Sequence, residues 1–320
     1  MSCSYVPNNF LSTSRVIRTL GQGAFGKIKL IESDQGERYA VKEIPIQDFK
    51  FDKGISPSAL SEIDTLIRLK NVPNTLQMKG VCTGNITSAT GTTVPATNII
   101  LEEMDMNLID YIRLTNFDDR LYQFNNLLFS ILRAKAYMET LNINHFDIKP
   151  DNILLKITPT GIYFVLSDFG LTRLDFFEYM NHHYLFTIWY RPPELLVQRN
   201  TNTFNFFSGD MWSLGICLLI YILGTNPFAK ETPREILQEI KKYSNEADLP
   251  FPQFIEYLKQ TNLVGVGQLQ YDKLNVSQIF QQYLTPTDYA KIPQEIIQVI
   301  ERLLTLDPNT RPKAETLLRV

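Results

Sequence analysis

Apolar and polar residues alternate over residues 15–20 and again over 27–31, with Gly21-Gln22-Gly23-Ala24-Phe25-Gly26 between them. Alternation gives each face of a strand its own set of side chains, so this stretch predicts a hairpin with a glycine-rich tip. A further strand is expected over 38–44, with Lys42 inside an apolar run. Over 58–69 the spacing becomes helical. Ser58 suits the N-cap, and Leu60, Ile63, Leu66, Ile67 and Leu69 make an inner face that also takes in Glu62. Residues 83–98, rich in Thr, Gly, Ser and Asn, read as a polar loop between strands. A strand over 98–104 leads into a short connector. Helical spacing then dominates, at 107–113, 121–142, 210–223, 233–243 and 293–304, with short strand-like runs at 153–155 and 162–166. Residues 245–292 show weak periodicity and take no assignment. The shift from strand to helix puts a boundary near residues 104–107. The expected class is α+β: an N-terminal extension over 1–14, a sheet-rich region with one helix over 15–104, and a mostly helical region over 105–320.

Composition narrows the function without choosing it. The 320 residues are 44% hydrophobic, enough for one large or two modest cores. A net charge of -3, with Lys and Arg scattered, gives no general attraction to nucleic acid or to an anionic membrane, and neither is expected as a partner. Cys3, Cys82 and Cys217 are too few and too dispersed for a disulfide framework or a zinc site. A reducing compartment is expected, the cytoplasm first and the nucleus as the alternative. The first ten residues lack the basic and apolar regions of a secretory signal. The longest apolar run, 214–223, is too short to span a bilayer and reads as a buried helix.

The chemistry concentrates in His145-Phe146-Asp147-Ile148-Lys149-Pro150-Asp151-Asn152 and in Ser167-Asp168-Phe169-Gly170. The first motif packs a candidate base (Asp147), a cation (Lys149) and a neutral oxygen ligand (Asn152) into eight positions. The second adds a carboxylate at Asp168. Hard cations want oxygen ligands, and phosphoryl transfer needs mainly positioning and charge neutralisation. Asp-Phe-Gly alone is weak evidence; Asp-x-Lys-x-x-Asn with Asp-Phe-Gly some sixteen residues on is strong. The glycine-rich tip is also weak alone, where an ordinary turn competes. A strand rather than a helix follows its last glycine, which argues against a dinucleotide site, and no Gly-Lys-Ser/Thr closes it. A flap whose backbone N–H groups lie over phosphates fits. Lys42 either meets an anion or snorkels to water; Glu62 either points inward to it or lies solvated on a helix flank.

In this order the motifs resemble those of the eukaryotic protein kinases, over nearly everything from Arg15 onward. The resemblance implies a bilobal fold, a protein substrate, and ATP with Mg²⁺ as cofactors, Mn²⁺ being the alternative metal. It implies that the loop from Gly21 to Gly26, including Gln22, Gly23, Ala24 and Phe25, covers the phosphates. Lys42 would bind the α/β-phosphates and pair with Glu62. Asp147 would accept the substrate hydroxyl's proton, Lys149 would steady the γ-phosphate, and Asn152 and Asp168 would hold the metal. Glu103 and Met104 look like the hinge to adenine, with Leu101 behind it and Ile28, Ala40 and Leu154 around the ring. Glu194 would pair with Arg311, and Asp210 would begin the helix that anchors the catalytic loop. Trp189 and Trp212 are expected in the core.

Within that family the cyclin-dependent group is most similar. Residues 54–63 resemble its PSTAIRE helix, and Thr187-Ile188-Trp189-Tyr190-Arg191 suits a Ser/Thr enzyme. A cyclin-like activator at the Glu62 helix is therefore an expected partner. The departures concern regulation. Phe146 replaces the arginine of His-Arg-Asp, Ser61 replaces the PSTAIRE arginine, and only Arg173 remains of the usual phosphate-clasping arginines. His182 occupies the phospho-threonine position, and Ala24-Phe25 the inhibitory Thr-Tyr pair. The expectation is a Ser/Thr kinase that needs no activation-loop phosphate, its segment held by packing of Phe146, Phe176, Phe177, Tyr184 or Phe186. A scaffold that binds nucleotide without turnover is the alternative, and a small-molecule kinase of similar fold a weaker third.

Overall fold

The computed structural model describes residues 10–23, 26–49, 52–55, 57–87, 93–172, 186–197, 206–247, 250–261 and 273–319. They form two compact units, one of residues up to 105 together with 167–172, the other of 106–166 and the described residues from 186 onward.

The first unit is built on a five-stranded antiparallel sheet. Its elements are α1 (Phe10–Thr13), β1 (Arg15–Gly23), β2 (Gly26–Glu32), β3 (Arg38–Pro45), β4 (Gln47–Phe49), β5 (Asp52–Gly54), α2 (Pro57–Arg68), β6 (Met78–Thr87) and β7 (Thr93–Glu102). The strand order is β1-β2-β3-β7-β6, and β4 and β5 pair separately. Ile31, Val41, Cys82 and Ile100 form a buried cluster that Phe10, Leu11 and Tyr39 cover. The Phe10 ring meets Tyr39 edge-on at 5.6 Å, so this end of the N-terminal extension belongs to the core.

The glycine-rich hairpin has Gly23 paired with Gly26, and the expected tip residues Ala24 and Phe25 lie outside the described residues. Gly26 has φ +146°, and a Cβ there would fall 2.0 Å from the Glu43 carbonyl oxygen, so only glycine fits. Three expectations need correction. Residues 83–87 and 93–97 are paired strand rather than loop. Their threonines are β-branched and suit a pleated surface, which outweighs polar composition. The helix begins at Pro57, one residue before the expected Ser58 cap, because proline's fixed φ and missing N–H suit the first turn. Leu60 points outward, 52% exposed, while Leu66 and Leu69 face the core.

The second unit contains β8 (Met106–Asn107), α3 (Leu108–Leu114), α4 (Phe117–Thr140), β9 (Ile153–Thr158), β10 (Gly161–Leu166), α5 (Pro193–Val197), α6 (Phe206–Leu223), α7 (Pro233–Lys242), α8 (Phe251–Thr261), α9 (Val276–Tyr283), α10 (Pro286–Ala290), α11 (Gln294–Leu303) and α12 (Ala314–Leu318). Strands β10, β9 and β8 form a small antiparallel sheet. Helix α6 is buried on every side, as its unbroken apolar run requires. A Cβ on Gly215 would lie 2.7–3.0 Å from the side chains of Leu303 and Leu304, so this glycine permits the close approach of α6 and α11. The stretch without assignment holds α8, α9 and α10. Trp212 is buried as expected, but Trp189 is 42% exposed. Its Nε1–H donates to the Lys230 carbonyl at 2.8 Å, which holds it at the surface rather than in the core. Among the described residues, no helix is long and apolar enough to cross a membrane.

Candidate active site

In the first unit, β3 delivers Lys42 and α2 delivers Glu62, both almost wholly buried. The Lys42 Nζ lies 2.7 and 2.8 Å from the two Glu62 carboxylate oxygens and 2.9 Å from Asp168 Oδ1. Burial alone would lower the Lys42 ammonium; the charges of Glu62 and Asp168 outweigh it and raise it above the usual lysine value. Burial pushes the Glu62 carboxyl up, and Lys42 offsets only part of that. The strand lysine therefore meets two anions, and the inward reading of Glu62 holds. Asp168 itself takes φ +62°, a conformation that non-glycine residues adopt rarely. Ala40 and Leu101 are opposite each other on β3 and β7, and Ile28 pairs with Lys42 on β2. Glu103 and Met104 follow β7, half-buried.

The second unit assembles the catalytic-loop motif around Asp147. Asp147 is 8% exposed, and its carboxylate accepts four side-chain or backbone donors. Thr187 donates to Oδ1 through its hydroxyl (2.6 Å) and backbone N–H (3.2 Å). Lys149 Nζ (2.6 Å) and Asn152 Nδ2 (3.0 Å) donate to Oδ2. Lys149 also donates to the Thr187 hydroxyl at 3.0 Å. The Asn152 amide is oriented by a second bond to the Asp147 carbonyl at 2.9 Å, and it heads β9, on which Leu154 lies half-buried.

The loop is pinned from below. Asp210, on α6, accepts the backbone N–H groups of His145 (2.7 Å) and Phe146 (2.9 Å), and Lys135 from α4 donates to it at 2.5 Å. Phe146 has φ +65° and is fully buried. Its carbonyl accepts the N–H of Phe186 (2.9 Å), itself at φ +61°, and the two rings pack edge to face at 5.8 Å. Glu194 and Arg311 form a two-pronged buried ion pair, both contacts at 2.6 Å.

Lys42, Glu62 and Asp168 thus come together in one unit, and Asp147, Lys149 and Asn152 in the other. Sequence reasoning singled out Thr187, with Lys149, as suiting a Ser/Thr enzyme, but did not show that it bonds both Asp147 and Lys149. It also gave no sign of Lys135 beneath the loop: a lysine in an amphipathic helix reads as solvated, and only its position opposite Asp210 shows otherwise.

The chain belongs to the protein kinase domain family, which matches residues 14–320. Among curated relatives it is similar to "Cyclin-dependent kinase F-4" of Oryza sativa subsp. japonica, 27% identical over 311 residues, covering 95% of this chain and 60% of that protein. It is 32% identical over 239 residues to "Cyclin-dependent kinase 4 homolog" of Caenorhabditis elegans, covering 72% and 55%. "Mitogen-activated protein kinase 1" of Oryza sativa subsp. japonica is 26% identical over 308 residues, covering 94% and 70%. The chain spans less than two thirds of the length of the cyclin-dependent kinase relatives, 60% and 55% for the two named here.

Proposed function

We propose that the protein is a serine/threonine kinase that transfers the γ-phosphoryl group of ATP to protein hydroxyls. The observation that carries this reading is the buried Lys42 ammonium held between Glu62 and Asp168. A lysine fixed in this way is a positioned cation for the α/β-phosphates, and Glu62 keeps it from adopting other rotamers. Asp147 would orient the acceptor hydroxyl and take its proton, with Lys149 neutralising charge on the transferring group. Thr187, bonded to both, holds the aspartate and lysine in register.

Asp168 and Asn152 carry carboxylate and amide oxygens, the ligand types hard ions prefer, so these residue types suit Mg²⁺, the ion that the kinase reading expects. When bound, such an ion supplies charge neutralisation on the phosphates. Asp168, which accepts from Lys42 at 2.9 Å, would hold the ion, and Lys42 would meet the phosphates.

The same reading includes independence from an activation-segment phosphate. The Phe146–Phe186 contact supports it. An aromatic pair and a backbone hydrogen bond secure the described end of the segment where an arginine–phosphate contact would otherwise do so. The other expected contributors, Phe176, Phe177 and Tyr184, lie outside the described residues, as do Arg173 and His182. A cyclin-like protein against α2 is the partner that the names of two relatives suggest, and the exposed Leu60 is the position it would meet.

The test is transfer from Mg-ATP to a mixed Ser/Thr/Tyr peptide library, with Asp168→Ala as control. Transfer to Ser and Thr by the wild type alone is expected. Nucleotide binding without transfer, even with candidate cyclins added, would favour the scaffold alternative instead.

A further inference from the structure

Helix α2 is tied to the segment after Asp168 by side-chain hydroxyls, apart from the Lys42–Glu62 pair. The Ser61 hydroxyl donates to the Thr172 backbone carbonyl. The Thr65 and Thr172 hydroxyls lie 2.7 Å apart, and both side chains are buried. The Thr172 hydroxyl donates to the Phe169 carbonyl, and the Thr172 N–H reaches that same carbonyl at 3.1 Å. Each hydroxyl has one proton, so the direction is fixed: Thr65 donates to Thr172, and Thr172 donates to Phe169. Ser61 and Thr65 are one turn apart on the helix and so meet the segment together, on either side of Glu62 along the axis. A buried hydroxyl that loses its partner costs more than the bond contributes, so the two bonds from α2 favour a single placement of the helix, and the Thr172–Phe169 bond fixes the residue they meet.

We propose that Ser61, Thr65 and Thr172 form a hydroxyl latch that holds α2 in place, so that Lys42, Glu62 and Asp168 assemble in the free chain without a bound activator. The proposal rests on the kinase reading and concerns its regulation. The three residues are positioning residues: they act through Glu62 and Asp168. A protein docking on α2 would then serve substrate choice or location, and the Lys42–Glu62 pair would not depend on it.

The test compares wild type with Ser61→Ala, Thr65→Val, Thr172→Val and Thr172→Ser in the full chain, with no partner added. Two readouts are used: kcat and KM for Mg-ATP, and amide hydrogen exchange along α2. Valine keeps the shape of threonine and removes the hydroxyl; serine keeps the hydroxyl. The latch predicts that partner-free wild type is active and that Thr172→Val lowers kcat by about tenfold or more. It predicts a smaller change in KM, faster exchange in α2, and recovery of both readouts in Thr172→Ser. Ser61→Ala, at a half-buried position, gives the same direction if Thr172→Val folds poorly. Wild-type kcat and wild-type exchange in both Thr172→Val and Ser61→Ala would overturn the latch, as would a loss that Thr172→Ser fails to recover. Failure of the kinase reading is distinguishable: wild type would then transfer nothing even with a cyclin-like protein added, whereas transfer that appears only on that addition would overturn the latch and keep the kinase reading.

Discussion

Phe146, Asp168 and Phe186 all have φ between +61° and +65°. Such a conformation costs about 1–3 kcal/mol per non-glycine residue, and all three lie next to or within the proposed chemistry. Phe146 and Phe186 offset this with their mutual hydrogen bond and ring contact. Phe186→Ala is expected to lose about 3–5 kcal/mol in urea unfolding, because the cavity adds to the lost burial. Transfer should fall with it, since Thr187 follows directly. Glu62 makes a prediction of opposite sign to an ordinary ion-paired carboxylate. Its folded-state pKa lies above the usual glutamate value, so the folded state binds the proton more tightly than the unfolded chain does. Its contribution to stability therefore grows as pH falls through that raised value. Lys42, also raised, contributes fully below the usual lysine value of 10.5 and loses that contribution only as pH rises through its folded value. Urea unfolding from pH 7 down to the usual glutamate value of 4.5 should show wild type gaining stability relative to Glu62→Gln on acidification; a difference that shrinks as pH falls would contradict the assignment.

At the scale of elements, burial of polar groups decides more than periodicity can reveal. Lys135 and Asp210 are fully buried, and their bond supports the carboxylate that holds the backbone of His145 and Phe146. Lys135→Met leaves that carboxylate without its counter-charge and is expected to cost about 3–5 kcal/mol, measured by chemical unfolding. Gly215→Ala would force α6 away from α11, at a cost of about 1–3 kcal/mol in the same assay. Alternation made β1, β2 and β3 legible, and apolar continuity did the same for α6. The β6–β7 hairpin was hidden because its ends carry Thr, Asn and Pro, whose polarity reads as loop while threonine's branching favours strand. Helices α8 to α10 were hidden because short amphipathic segments interrupted by proline lack a long enough period.

At the scale of the molecule, the residues named from the motifs fall into two groups, each internally bonded: Lys42–Glu62–Asp168 and Asp147–Lys149–Asn152. Motif spacing revealed these because the proposed reaction fixes both residue type and order. It did not reveal that Thr187 bonds Asp147 and Lys149, that Lys135 lies opposite Asp210, or that Ser61 and Thr65 meet Thr172. Hydroxyls and lone cations acquire their roles from what lies opposite them in space, and no spacing rule encodes that. The substitutions that set this chain apart, Phe146 above all, bear on how the segment around Phe186 is held. The central claim is transfer without a phosphate on that segment. The most direct measurement takes the full chain from bacterial expression, treats it with phosphatase until mass spectrometry finds no phosphate, and determines kcat/KM for a Ser/Thr peptide with Mg-ATP. Asp147→Asn serves as the control. An unchanged kcat/KM after phosphatase treatment, lost in Asp147→Asn, is the predicted result. Activity that disappears with the phosphate and returns on rephosphorylation would contradict it.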